Sequence, residues 1–83
     1  MSPSEPTLAT LTLHQRGRVR EVLGNGPAAD RLRELGLTRG TTVELLRQAP
    51  FGGPMIFALR GYQLCLRPTE AARVLTELGN PTE

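Results

Sequence analysis

Apolar and polar positions alternate along most of the chain, and the alternation changes period twice. Leu8, Leu11 and Leu13 form a short apolar lead-in segment. After a turn at Gly17, Arg18 to Leu23 reads as a first strand rich in Val and Leu, stopped by the dense turn signal "GNGP". The period then becomes helical. Pro27 suits a first helical position, where its missing N–H would be unpaired anyway. Ala28, Leu32 and Leu35 follow at i, i+4 and i+7, a stripe for a core. Gly36 stands where a helix of this length needs a left-handed residue, and Leu37 can fold back over it. "TRG" at 38–40 is a turn, and period two returns. Thr42 to Arg47 has Val43 and Leu45 on one face, and Met55 to Arg60 alternates Met55, Phe57 and Leu59 against Ile56, Ala58 and Arg60. Beyond a tight turn at Gly61, Tyr62 to Arg67 puts Tyr62, Leu64 and Leu66 on its inner face. Strands 42–47, 55–60 and 62–67 predict an antiparallel meander.

The stretch "RPTEAARVLTEL" fits two readings. Pro68 and Glu70 favour a helical turn, and Ala71, Val74, Leu75 and Leu78 can either continue a helix or supply a closing strand. Four or five short strands with one short helix cannot all bury a face in an open sheet at 83 residues. Closing the sheet into a small barrel hides its edges.

That length bounds one domain with a thin stability margin and little room for a deep cleft. Residues 1–7 are expected to be a disordered tail, 8–78 the domain and 79–83 a frayed end. The ten basic residues are all arginine, against eight acidic ones, so the net charge is only +2. Such an excess argues poorly for nucleic acid, and the aromatics are few: Phe51, Phe57 and Tyr62. Cys65 is the only cysteine, so no intrachain disulfide forms. No apolar run approaches a membrane span, and residues 1–7 lack the features of a signal peptide. The expected location is the cytoplasm, with no direct membrane insertion.

The chemistry-bearing residues are sparse. His14 and Cys65 form a conceivable nucleophilic dyad, but Cys65 lies on a strand between two leucines with no activating signal, and reads as a small core or half-buried residue. Metal-ligand spacing such as CxxC or HxxxH is absent, so no metal, cofactor or catalytic residue is assigned. Asp30 and Glu34 share a helix with Arg31 and Arg33 and read as a solvated, mixed-charge face. Arg16, Arg18 and Arg20 make a small basic cluster on the first strand.

The stretch "QAPFGGPMI" at 48–56 stands out. A phosphate-binding loop needs GxxxxGK[ST] ahead of a helix; the chain has no lysine, and this loop leads into a strand. Gly52 and Gly53 are instead expected to supply unusual dihedrals, with Pro50 and Pro54 stiffening the ends. Phe51 is either tucked into the core or offered to a partner.

Three fragments in order, "RLRELGLTRG" (31–40), "QAPFGGPMIFALRG" (48–61) and "LCLRPTEAARVL" (64–75), together with "GRVREVL" (17–23), resemble the FeoA family of small bacterial ferrous-iron transport proteins. The resemblance spans about residues 11–77. It implies a mainly β fold: an SH3-like β-barrel of about five strands with one short α-helix (27–36) inserted after the first strand. It also implies a helical turn at Pro68–Ala72 and a closing strand near Val74–Thr76. Gly53 stands where the family often has an acidic or polar residue, and Cys65 where a small residue is common. The implied function is an accessory role in ferrous iron uptake: an interaction module, not an enzyme, that binds the cytoplasmic G-protein part of the FeoB transporter. The alternative is a regulatory module related to the C-terminal barrel of iron-dependent repressors. The expected partner surface is Pro50, Phe51, Gly52, Gly53 and Pro54, extended by the exposed side of helix 27–36. A thin core and open edges leave a homodimer open.

Overall fold

The computed structural model describes residues 5–78, so the residue 1–4 part of the expected tail and the expected frayed end lie outside the described residues. A 3-10 turn, Leu8–Thr10, is followed by β1 (Arg16–Val22), α1 (Pro27–Glu34), β2 (Thr42–Gln48), β3 (Met55–Leu59), β4 (Tyr62–Leu66), α2 (Pro68–Ala71) and β5 (Val74–Leu78). The strands form one antiparallel sheet in the order β4-β3-β2-β1-β5. The mainly β class holds, with the helix inserted after the first strand and the helical turn before the last. Among the described residues β4 and β5 do not pair, so the ladder does not run round into a closed barrel.

The core follows the alternation. Val19 and Val22 of β1, Val43 and Leu45 of β2, Met55, Phe57 and Leu59 of β3, Leu66 of β4 and Val74 of β5 pack with Leu8, Leu11, Ala29, Leu32 and Leu37. Burying a side chain of this kind stabilises the fold by roughly 1.5–3 kcal/mol. Leu13 of the lead-in segment does not join them: it is 56% exposed. Nor does Tyr62 sit wholly on the inner face. It is partly exposed at the end of an edge strand, and its hydroxyl donates to the Leu35 carbonyl at the end of α1. The buried residue of the first helical turn is Ala29, not Ala28, so the core-facing stripe runs through Ala29 and Leu32, with Leu35 half-buried. Gly17 lies inside β1 rather than at a turn; a Cβ there would stand 3.3 Å from both Leu11 and Thr76.

The helix stop forms as its sequence dictates. Gly36 has φ +104°, its N–H donates to the Arg33 carbonyl at 3.0 Å, and the Leu37 N–H donates to the Leu32 carbonyl at 3.3 Å. This is the paired-bond arrangement that satisfies the last carbonyls of a helix, with Leu37 buried against the core. Arg33 fastens the other side of α1: one nitrogen reaches Asp30 at 3.1 Å and another donates to the Val22 and Gly24 carbonyls at 3.0 Å.

The sheet's two edges are treated differently. β5 is covered: the Thr76 N–H donates to the Pro6 carbonyl at 2.9 Å, and Thr7 bridges Leu75. Residues 6 and 7, expected in the tail, thus pair with the sheet. No described backbone group bonds to the outer side of β4.

Candidate partner-binding surface

The loop between β2 and β3 is closed at its base, where the Ala49 N–H donates to the Pro54 carbonyl at 3.0 Å. Its tip is a four-residue turn, with the Gly53 N–H donating to the Pro50 carbonyl at 3.2 Å. The two central residues are both left-handed, Phe51 with φ 59° and Gly52 with φ 74°. Two positive φ angles under an i to i+3 hydrogen bond are the signature of a type I′ turn, whose backbone twist suits the flanking strands. The second such turn, at Arg60 and Gly61 between β3 and β4, has φ values of 48° and 83°.

The expected division of labour in this loop is partly reversed. Gly52 supplies a left-handed conformation, but Gly53 does not. A Cβ at Gly53 would lie 2.7 Å from the Ala49 Cβ, so glycine is needed there for close approach. The other left-handed position is filled by Phe51, where Asn, Asp or Gly is favoured. The side chain is 102% exposed, so the core reading of Phe51 is excluded. Neither turn chemistry nor packing accounts for a phenylalanine at that position.

Of the other expected contact residues, Pro50, Gly52 and Pro54 are exposed and Gly53 is half-buried. Gly52, Gly53 and Pro54 line a groove of about 970 Å³ together with Arg31 of α1, Cys65 of β4, and Arg67, Pro68, Thr69 and Glu70. The loop and one exposed side chain of the helix therefore meet at one surface. On the outer face of the sheet, Leu13, Leu46 and Ile56 line a more apolar groove of about 670 Å³, rimmed by Arg47 and again by Pro54 and Cys65. Sequence reasoning passed over this second groove. Its signal was Leu46 and Ile56, apolar residues at positions that alternate away from the core.

Cys65 is exposed, contrary to the packing reading. The reason lies in the strand: Leu66 next to it points into the core, Cys65 points the other way, and β4 is an edge. His14 pairs with Glu44 and not with Cys65. The imidazole is exposed and 3.6 Å from Glu44, which also pairs with Arg16 at 3.3 Å. The basic cluster of β1 is partly neutralised, since Arg20 pairs with Glu5 at 3.0 Å as well. Among the described residues no three His, Cys, Asp or Glu side chains come together as a metal site. No helix there is long and apolar enough to cross a membrane.

Electrostatics are most constrained at Glu70. Its carboxylate accepts from the Arg67 backbone N–H at 2.9 Å and from Arg31 at 3.0 Å. The Arg67 N–H is the largest cause holding its pKa below the usual value, with the Arg31 charge and hydrogen bond adding to it against partial desolvation.

A five-stranded antiparallel sheet with one inserted helix and a rigid, exposed aromatic loop defines a small SH3-like β domain. The chain belongs to the FeoA family: the sequence model of the FeoA domain matches residues 7–78. The FeoA of Stenotrophomonas maltophilia, solved in complex with zinc and described as a prokaryotic SH3 domain protein, is 36% identical. The match covers 87% of this chain and 89% of that one, with a TM-score of 0.77. A FeoA-like protein from Clostridium acetobutylicum is 27% identical over 93% of this chain and 90% of that one, with a TM-score of 0.81. A manganese-dependent transcriptional repressor shares the fold, at 16% identity and a TM-score of 0.80, over 94% of this chain and 38% of that one. Among curated proteins none matches the sequence.

Proposed function

We propose that this chain is an accessory protein of bacterial ferrous iron uptake that docks on the cytoplasmic part of the FeoB transporter and modulates Fe(II) transport. Membership of the FeoA family supports the pathway, and the S. maltophilia relative is described as a candidate ferrous iron transport activating factor. The observation that carries the docking reading is Phe51, held fully exposed at a left-handed position of a rigid turn. Backbone strain and an exposed large aromatic have the same economical explanation, an anchor kept ready for a partner. Because Pro50, Pro54 and the closed turn fix the loop, little ordering entropy is lost on binding. The regulatory alternative rests on likeness of fold to the repressors, which says nothing about the site.

Titrating the cytoplasmic part of the cognate FeoB with this chain is the direct test. Saturable binding that weakens with Phe51→Ala is the expected result. An absence of binding by the unmodified chain would overturn the reading, and binding indifferent to Phe51 would remove the loop from it.

A further inference from the structure

The groove beside the loop is bounded by something more specific than side chains. Leu59 and Tyr62 flank the two-residue turn between β3 and β4, so they form the closely hydrogen-bonded pair that ends such a hairpin. Bonded and non-bonded pairs then alternate, which makes Phe57–Leu64 and Met55–Leu66 bonded as well. Gln63 and Cys65 therefore direct their N–H and C=O groups away from β3, toward the uncovered side of the strand.

Exposed edges are normally blunted by charge, proline, bulges or a covering segment. The edge of β5 has its cover, and the β1–β5 and β2–β3 ladders each contain a register shift. β4 has none of these: its residues Tyr62 to Leu66 are uncharged, lack proline, and pair with β3 in five consecutive steps without a shift. The charge at its end is one-sided. Arg31 and Arg67 line the adjoining groove and Arg47 the next one, while Glu70, tied to Arg31, is the one carboxylate lining either. A second copy of this chain would bring the same cations to the edge. An acidic segment would meet complementary charge.

We infer that the open edge of β4 takes up an extended acidic segment of the protein partner as an added strand, through the outward backbone groups of Gln63 and Cys65. Main-chain bonds supply the attachment, Arg67 and Arg47 select for acid, and Phe51 of the adjoining loop anchors the neighbouring surface. The inference rests on the docking reading above and specifies its geometry.

Residue-resolved amide exchange on the full chain tests it with two probes. The first is a short capped peptide of alternating glutamate and valine, with the alternating lysine and valine peptide as control. At saturation the acidic peptide should slow exchange at Gln63 and Cys65 by about tenfold, leave Leu64 and Leu66 unchanged, and be matched by no effect of the basic one. The second probe is the FeoB cytoplasmic part, which should protect the same two amides. Cys65→Pro removes an N–H that β3 does not use, so the hairpin should persist while affinity for the acidic peptide falls about tenfold. Unchanged exchange at both amides with saturating acidic peptide overturns the inference, as does equal protection by the basic peptide. If FeoB binds yet neither amide responds, the edge is refuted and docking stands. If the acidic peptide protects and FeoB does not bind, docking on FeoB is refuted and the edge stands.

Discussion

Because Phe51 is fully exposed, folding and the proposed docking can be read apart at this position, and two substitutions exploit this. The side chain is fully exposed and touches no core, so Phe51→Ala should change folding stability by no more than about 0.5 kcal/mol. Phe51→Gly acts on the backbone as well. A residue with a Cβ held at φ 59° carries a left-handed penalty of roughly 1–2 kcal/mol. Glycine relieves it, but adds unfolded-chain entropy worth about 0.5–1 kcal/mol. Phe51→Gly should therefore be stabilising by about 0.5–1 kcal/mol relative to the native chain. Binding moves the opposite way. Fully burying a phenylalanine in a partner is worth roughly 1.5–3 kcal/mol, so both variants should lose about thirtyfold in Kd for the FeoB cytoplasmic part. Urea unfolding, read at constant m-value, measures the first effect, and titration calorimetry the second. The glycine variant matters because it keeps the turn: a loss of binding there cannot be blamed on a distorted loop. A Phe51→Ala variant destabilised by more than about 1 kcal/mol would mean that the ring packs on the protein in solution. An unchanged Kd in both variants would end the anchor argument.

The geometry sets three further outcomes. Gly36→Ala should destabilise by about 2 kcal/mol in a denaturant titration, because φ is +104° and the new Cβ would stand 2.5 Å from the Tyr62 hydroxyl. Thr76→Val should stabilise by about 1 kcal/mol, since the Thr76 hydroxyl is buried with no hydrogen-bond partner and valine has the same shape. Glu70 has a folded pKa depressed from 4.5, chiefly by the Arg67 N–H, so its contribution is present above that value and lost as pH falls through the folded pKa. Glu70→Gln should be less stable than the native chain at neutral pH, and the two thermal midpoints should converge in acid.

The helix and its stop were written in "RLRELGL", because a left-handed position followed by an apolar residue admits few other conformations. The meander was legible from strict alternation in Val43–Leu45 and Met55–Leu59, where one face is buried and the other is not. What alternation does not carry is which strand lies at an edge. Cys65 and Tyr62 were misplaced for that reason: an edge strand has a neighbour on one side only, and its outward face and its end meet solvent. Ala28 and Ala29 are chemically the same, so only the angle at which α1 meets the sheet decides which is buried. The loop drew attention through its prolines and glycines, but two adjacent glycines gave no hint that one served close approach and that the left-handed partner was Phe51. The groove beyond it combines Arg31 of α1 with Cys65 of β4 and Arg67 of the link to α2, and no local pattern announces that α1 meets them.

The covering of β5 by residues 6 and 7 limits how many molecules the sheet can recruit. Pro6 turns its carbonyl to the Thr76 N–H, and Thr7, whose own backbone groups face away from β5, has both engaged by the 3-10 turn: its N–H donates to the Thr10 hydroxyl at 3.0 Å and its carbonyl accepts from the Thr10 N–H at 3.1 Å. The outward groups on that side are therefore taken, and among the described residues the open edge is that of β4. A sheet extensible at both ends can polymerise head to tail, whereas one extensible at a single end closes after one addition. If β4 takes up the proposed strand, one chain to one partner strand is the expected stoichiometry, because the turn at Thr7 to Thr10 seals the opposite edge.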